Sequence, residues 1–476
     1  MADLFMLILS LAVFVLAGGF LLRAARPRSC FGVPARTGLC FLLGLGAVSL
    51  QMFLYSLISI PFGFLVVALP WAALYGLTYL PVFRTPARED RAPAAKGLLK
   101  EAGWPGVILI VIIVSQAAYA LLYAGLLPVR GWDAWLIWFF KARAFFADGG
   151  VTSGFLLNPD YAYSHPDYPL LVPLSVAWVY TALGHAGEMA AEMLYPLQFI
   201  AMLLVFHWGA RRAAGGATAL LFTALLSLTP ILLVHAAGFV SSIGPLAGGD
   251  YVGYADLTLA LCFLFAGVFL YLGMTEADTG QILLSALFLA LGAWTKNEGL
   301  PFAAFGFLLI AAHLAARKDW MRIEATACVL AVFIVPWAAY KANLALGSEF
   351  SGRFNPRTFL ANAGRLGFVV RTMLGYIFLQ TGLFSFAGWA LAASTALNWR
   401  GLRSRALLAL YAMVLFQLSL YAFVYVITPF DVNWHVRTSL DRLLLHVIPL
   451  FMFITAVNIG AFLRSKGPGA GARERS

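Results

Sequence analysis

Apolar runs long enough to cross a bilayer recur along nearly the whole chain, and nothing else in the sequence limits its fold as strongly. A helix needs roughly 20 apolar residues to cross the hydrocarbon core. Such runs occur at about 3–22, 38–58, 62–83, 105–127, 190–210, 217–237, 254–273, 282–295, 299–316, 324–342, 384–399, 406–428 and 443–463. With 62% hydrophobic and only 11% charged residues, the chain reads as an all-α polytopic membrane protein of about 13 transmembrane helices. The first run lacks a basic segment before it and has its arginines after it, so it reads as a retained span and not a cleaved signal.

The net charge of +11 does not point to nucleic acid, because the basic residues are scattered through short gaps between apolar runs. They read as topology signals facing an anionic inner leaflet. With the N-terminus outside, the inner gaps hold Arg23, Arg26, Arg28 and Arg36, then Arg84, Arg88, Arg91, Lys96 and Lys100. Later inner gaps hold Arg211, Arg212, Arg317, Lys318, Arg322, Arg400, Arg403 and Arg405, and the tail holds Arg464, Lys466, Arg473 and Arg475. Counting the run at 168–184 as a further span would turn Arg211, Arg212, Arg317 and Lys318 outward. That run and 366–383 therefore read as outer interfacial or re-entrant helices. The four cysteines form no CxxC pair and suggest neither a disulfide framework nor a thiolate metal site.

The expected organisation is a basic three-helix N-terminal part (1–104), a membrane core (105–320) whose first large outer loop is 128–189, C-terminal helices (321–463) with outer loops 343–383 and 429–442, and a basic inner tail (464–476). Four outer segments combine acids with histidine, lysine, arginine or aromatic residues.

The first is "GWDAWLIWFFKARAFF" (131–146) followed by "NPDYAYSHPDYPLL" (158–171). Read as a helix, 132–146 puts Asp133, Ile137 and Phe140 on one stripe. Asp133 then serves either as a helix N-cap or as a functional carboxylate. Lys141 is a candidate cation. His165, Asp167 and Tyr168 are candidate acceptor-site or sugar-site residues, and Asp160, His165 and Asp167 could bind a divalent metal, though one histidine among acids is a nonspecific signal.

The second segment, "GGDYVGYADLTLALCFLF", places Asp250 outside and Asp256 at the lip of a span, where a carboxylate needs a polar cavity or a partner. The third, "AWTKNEGLPF", is a tight turn carrying Lys296 and Glu298, either a mere connection or a cation aimed into an outer vestibule. The fourth, "DVNWHVRTSLDRLLLHVIP", carries His435, Arg437 and Arg442. Two outer arginines run against the usual charge bias; guanidinium groups suit phosphate, and the alternative is a structural pair of Arg442 with Asp441 or another outer acid.

The aspartate after an early span, the "HPDYPLLVP" stretch, the second aspartate in "YADLTLALCFLF" and the "WTKNEGLP" turn occur in an order that resembles the integral-membrane glycosyltransferases of the GT-C superfamily. Within it the nearest likeness is to protein O-mannosyltransferases and lipid A aminoarabinose transferases. The resemblance is clearest over 105–320, while the first three spans look like an addition. It implies a bacterial inner-membrane enzyme with its site facing the periplasm or exterior and its C-terminus in the cytoplasm. It also implies transfer, with inversion, from a polyprenyl-phosphate sugar to a hydroxyl of a glycan, lipid or protein.

In that reading Asp133 is the base, and Asp256, matching the family's second aspartate, shapes the acceptor or cation site. Arg437, Arg442, Lys296 and Lys141 are donor-phosphate cations. Asp250, Glu298, His435, His165, Asp167 and Tyr168 line the acceptor and sugar region. One departure matters: where the aminoarabinose type has a His-x-x-Lys-Pro-Pro pattern, this chain reads "HPDYPLL" without lysine, so the phosphate cation must come from elsewhere. Metal use varies across the superfamily and stays open. Two rivals are a transporter or flippase of a lipid-linked sugar, disfavoured by the lack of an internal repeat, and a structural subunit of an envelope-polysaccharide assembly, which would need neither Asp133 nor the outer arginines.

Overall fold

The structure, a computed structural model, describes residues 1–80, 95–238 and 251–466, apart from the side chains of 95–102. Asp250 and the side chains of Arg84, Arg88, Arg91, Lys96, Lys100, Arg473 and Arg475 lie outside the described residues. Among those described, the chain is helical with no strand, as expected where backbone polar groups must be satisfied within each segment.

The principal helices are α1 (Ala2–Ala25), α2 (Val33–Leu57), α3 (Phe64–Leu77), α4 (Gly103–Leu126), α5 (Phe139–Ala147), α6 (Leu171–Leu183), α7 (Leu194–Ala214), α8 (Gly216–Ser227) and α9 (Pro230–Ala237). They continue with α10 (Asp256–Thr275), α11 (Thr279–Thr295), α12 (Gly299–Ala315), α13 (Trp320–Asn343), α14 (Leu366–Leu379), α15 (Ala387–Leu397), α16 (Arg405–Ile427), α17 (Val432–Leu445) and α18 (Ile448–Lys466).

All thirteen expected runs are helical, but they do not all have the length to span. Among the described residues eight helices are long and apolar enough to cross a membrane, and α8 with α9, bent by 61° at Pro230, would make a ninth. The other four, α3, α11, α12 and α15, have 14, 17, 17 and 11 residues. At 1.5 Å per residue they are shorter than a hydrocarbon core of roughly 30 Å, so helix length alone does not establish them as spans. An apolar run counts turn residues as well as helix, which is why the sequence overstates span length. The run at 168–184 becomes the 13-residue α6, enclosed by α1, α2 and α5, so it is a buried short helix and not a surface one.

Close packing comes from small residues, as in other membrane bundles. At the α1–α2 crossing, a Cβ on Gly18 would lie 1.7 Å from the Cys40 carbonyl oxygen and one on Gly44 1.9 Å from that of Phe14. Only glycine lets the two backbones meet there. The central hairpin of α10 and α11 packs on α7, α12 and α18, and Phe263 stacks on Phe302 at 3.7 Å.

The two ends of α10, about 30 Å apart, differ in character. At its C-terminal end Arg212 makes paired 2.9 Å bonds to Glu276, and Asp278 accepts from the backbone N–H of Arg28 at 2.8 Å. At the other end, Asp256 opens into a cavity.

Candidate functional site

Four segments far apart in sequence converge on that cavity, which measures about 360 Å³. The first is the helical stretch containing Asp133. Asp133 already has helical torsions (φ −68°, ψ −30°), and its side chain makes no cap bond, so capping is not its role. Its carboxylate forms an ion pair with Arg442 of α17, and its backbone N–H donates to the Tyr254 hydroxyl at 3.0 Å.

Residues Ala134–Trp138 form a π turn before α5, which inserts an extra residue and rotates the helix downstream of it. The expected stripe is broken there. Asp133 and Ile137 line the cavity, whereas Phe140 packs away from it against Phe155 and Tyr161.

The second segment is the start of α10. Asp256, only 1% exposed, accepts from the Lys296 ammonium at 2.9 Å and faces His446 Nε2 at 2.9 Å. Arg442 lies 4.0 Å from its other oxygen. A carboxylate this buried requires such partners.

The third segment is the Lys296–Glu298 turn between α11 and α12, where Lys296 also reaches Glu298 at 3.3 Å. Burial works against the Lys296 cation, but Asp256 and then Glu298 outweigh it and raise its pKa. Asn297, in the same turn, donates to Asp167 at 2.7 Å.

The fourth segment is α17. Asp431 caps it by accepting from the Trp434 N–H at 2.9 Å, and its apolar residues Val436, Leu440, Leu443 and Leu444 are buried at helical spacing. Arg442 sits beside that face, over the Tyr254 ring at 5.3 Å. Burial opposes its charge, but Asp133 and then Asp256 raise its pKa above the ordinary value.

His446, immediately after α17, is fully buried, and burial lowers its pKa against the pull of Asp256. The neutral ring donates from Nε2 to Asp256 and accepts at Nδ1 from the Tyr421 hydroxyl at 2.6 Å, which fixes its tautomer.

The structure thus brings Asp133, His165, Asp167, Tyr168, Asp256, Lys296, Glu298, His435 and Arg442 to one cavity. It separates two expected phosphate cations from it. Arg437 is exposed and is not on the cavity wall: five residues before Arg442, it lies about 140° around the helix.

Lys141 is completely buried beneath the site. Its ammonium donates to the His165 carbonyl at 2.5 Å and lies 5.7 and 5.6 Å from the Trp138 and Tyr168 rings. It holds the 165–168 segment in place and does not line the cavity. Burial lowers its pKa to about 7, with Asp167 opposing. His165 adopts a left-handed conformation (φ 50°) and stacks on Tyr168 at 4.7 Å.

Sequence reasoning gave no site role to His446, which orients Asp256 and is itself held by Tyr421, or to Glu349 and Phe350 of the α13–α14 connection, which complete a wall. His446 comes four residues after Arg442, one helical turn, and that spacing was its available signal.

The lining carries five carboxylates (Asp133, Asp167, Asp256, Glu298 and Glu349) against two cations, Lys296 and Arg442. Among the described residues no three His, Cys, Asp or Glu converge to hold a metal ion, so the expected Asp160, His165 and Asp167 donors do not form such a set. No protein-family model, curated protein or solved structure matches the chain.

Proposed function

We propose that this membrane protein is a glycosyltransferase that moves a sugar from a polyprenyl-phosphate donor to an acceptor hydroxyl, at the outer face of a bacterial inner membrane. The observation that carries this reading is Arg442, which pairs with Asp133 and lies 4.0 Å from Asp256. It therefore joins a candidate base to the buried Asp256–Lys296 pair inside one cavity.

Glycosyl transfer needs a base near the acceptor and positive charge near the departing phosphate, in a site that limits water. Asp133 takes the acceptor hydroxyl proton as the acceptor oxygen bonds to the anomeric carbon. The bond from that carbon to the phosphate oxygen breaks on the opposite face, so configuration inverts. The electron pair leaves on polyprenyl phosphate, whose new charge meets Arg442 and Lys296. Asp256 and His446 act through those cations by fixing their positions. Arg442 holds Oδ2 of Asp133, so Oδ1 is the oxygen that accepts the proton.

The test uses purified full-length protein, a panel of synthetic polyprenyl-phosphate sugars and detection of released polyprenyl phosphate. Release should depend on an added acceptor and fall by about 10²–10⁴ in Asp133→Asn. Donor movement between leaflets of a vesicle without any release would replace this reading with a lipid-sugar transporter.

A further inference from the structure

A second cavity, of about 400 Å³, runs between α11, α12 and α13. Its walls are apolar (Leu300, Phe333, Ile334 and Trp337), and two polar residues mark it. Asn297 lines both this groove and the catalytic cavity, so the two spaces meet at the side chain that holds Asp167. Lys341, in the last turn of α13, stands at the same end.

The residues outside the groove say what fills it. Leu308, Val332 and Val335 on α12 and α13 are 62%, 54% and 57% exposed, an apolar surface that suits bilayer and not water. A groove of this size and polarity, opening on such a surface, suits a hydrocarbon chain.

Resting on the transferase reading above, we infer that the acceptor is an anionic lipid whose acyl chain occupies the α12–α13 groove, with its headgroup beside Lys341 and its hydroxyl passing Asn297 to Asp133. The donor chain has a different place. The catalytic cavity has its own apolar flank at Leu420, Val424 and Leu443, on the side of Arg442. Two lipids therefore approach α12 from opposite sides, and neither chain crosses the other.

Ala338 lines the groove and is exposed, so Ala338→Phe fills the space without disturbing the core. The first measurement is photolabelling of the full-length protein in liposomes by a phosphatidylglycerol with a diazirine in one acyl chain. Label should concentrate on residues 333–346 and fall about tenfold in Ala338→Phe. Equal labelling of the exposed faces of α1 and α4, or no change in the variant, overturns the groove. Loss of label on adding polyprenyl phosphate, but not on adding unlabelled phosphatidylglycerol, gives the groove to the donor and overturns the acceptor assignment.

The second measurement compares donor turnover with a lipid acceptor and with a short water-soluble alcohol. Ala338→Phe should raise KM for the lipid about tenfold and leave turnover with the alcohol unchanged. Equal effects on both acceptors overturn the proposal while the transferase stands. Absence of turnover in the wild type sinks the transferase, and with it the acceptor role, while the labelling still reports whether the groove holds a lipid.

Discussion

Removing the Asp133–Arg442 pair one partner at a time, and then together, separates a catalytic constellation from a structural ion pair. The side chains are 25% and 19% exposed, so the pair is neither dry nor fully solvated. Two unit charges about 4 Å apart attract by about 4 kcal/mol at an effective dielectric of 20 and by about 1 kcal/mol in water. With solvent screening, about 2 kcal/mol is a reasonable value for this pair. Asp133→Asn and Arg442→Gln should each lower stability by about that amount in thermal unfolding in detergent.

Their effect on transfer should be much larger. Loss of a base costs about 10²–10⁴ in rate, and loss of a cation at the developing phosphate charge about 10²–10³. Because both act in one transition state, the double variant should fall about as far as the worse single variant and not by the product. A structural pair predicts a different pattern, since the double variant removes both charges and leaves no buried ion unpaired. Turnover in the double variant within about tenfold of wild type, with stability restored, would refute the catalytic reasoning.

The same geometry sets three further outcomes. Glu349, 48% exposed on the cavity wall, repels a bound phosphate by about 0.5 kcal/mol across roughly 9 Å of water-like medium. Glu349→Gln should therefore tighten binding of a short-chain isoprenyl phosphate about twofold at low salt, a gain that fades at high salt.

Lys141 has a pKa lowered from 10.5 to about 7, chiefly by burial. Between those values the unfolded chain holds a proton that the folded protein lacks, so stability rises with pH across that window, by up to about 1.4 kcal/mol per pH unit, and levels off above it. Denaturation measured from pH 7 to 10 should show that rise in wild type and a flatter profile in Lys141→Met. Arg437→Ala, on the exposed face of α17, should change stability by no more than about 0.5 kcal/mol and leave donor KM unchanged in the release assay.

The helical membrane character and the Lys296–Glu298 turn were legible from the sequence because they are local properties. Hydrophobic runs report helix and burial directly, and Lys296, Asn297 and Glu298 interrupt two such runs. Span number was less legible, since α11 and α12, with 17 residues each, sit at the short end of the spanning range.

Candidate residues were legible by type, and their roles only in part. Asp133 and Arg442 are 309 positions apart, and no local pattern links them. By contrast, the placements of Arg437 and Lys141 had a local signal. The apolar spacing Val436, Leu440, Leu443, Leu444 leaves Arg437 off the buried face of α17. Downstream of the π turn, Trp138, Lys141, Ala142 and Phe145 form a buried stripe that carries the lysine inward. By residue type Lys141 reads as a ligand, but its helical phase makes it a support. The role of His446 escapes a sequence reading because its work is to orient Asp256: its spacing from Arg442 places it on the same side of the helix, but nothing local names the aspartate, 190 positions away.

The π turn at Ala134–Trp138 means that the phase of Asp133 against α5 depends on one peptide unit. Deleting a single residue there would leave an ordinary helix with a regular ladder of bonds and the same apolar composition, while swinging the aspartate about 100° from its arginine. Competence at this position is thus a matter of reading frame along the helix. A lineage could lose or regain it by an in-frame codon deletion or insertion, without exchanging any amino acid in the cavity.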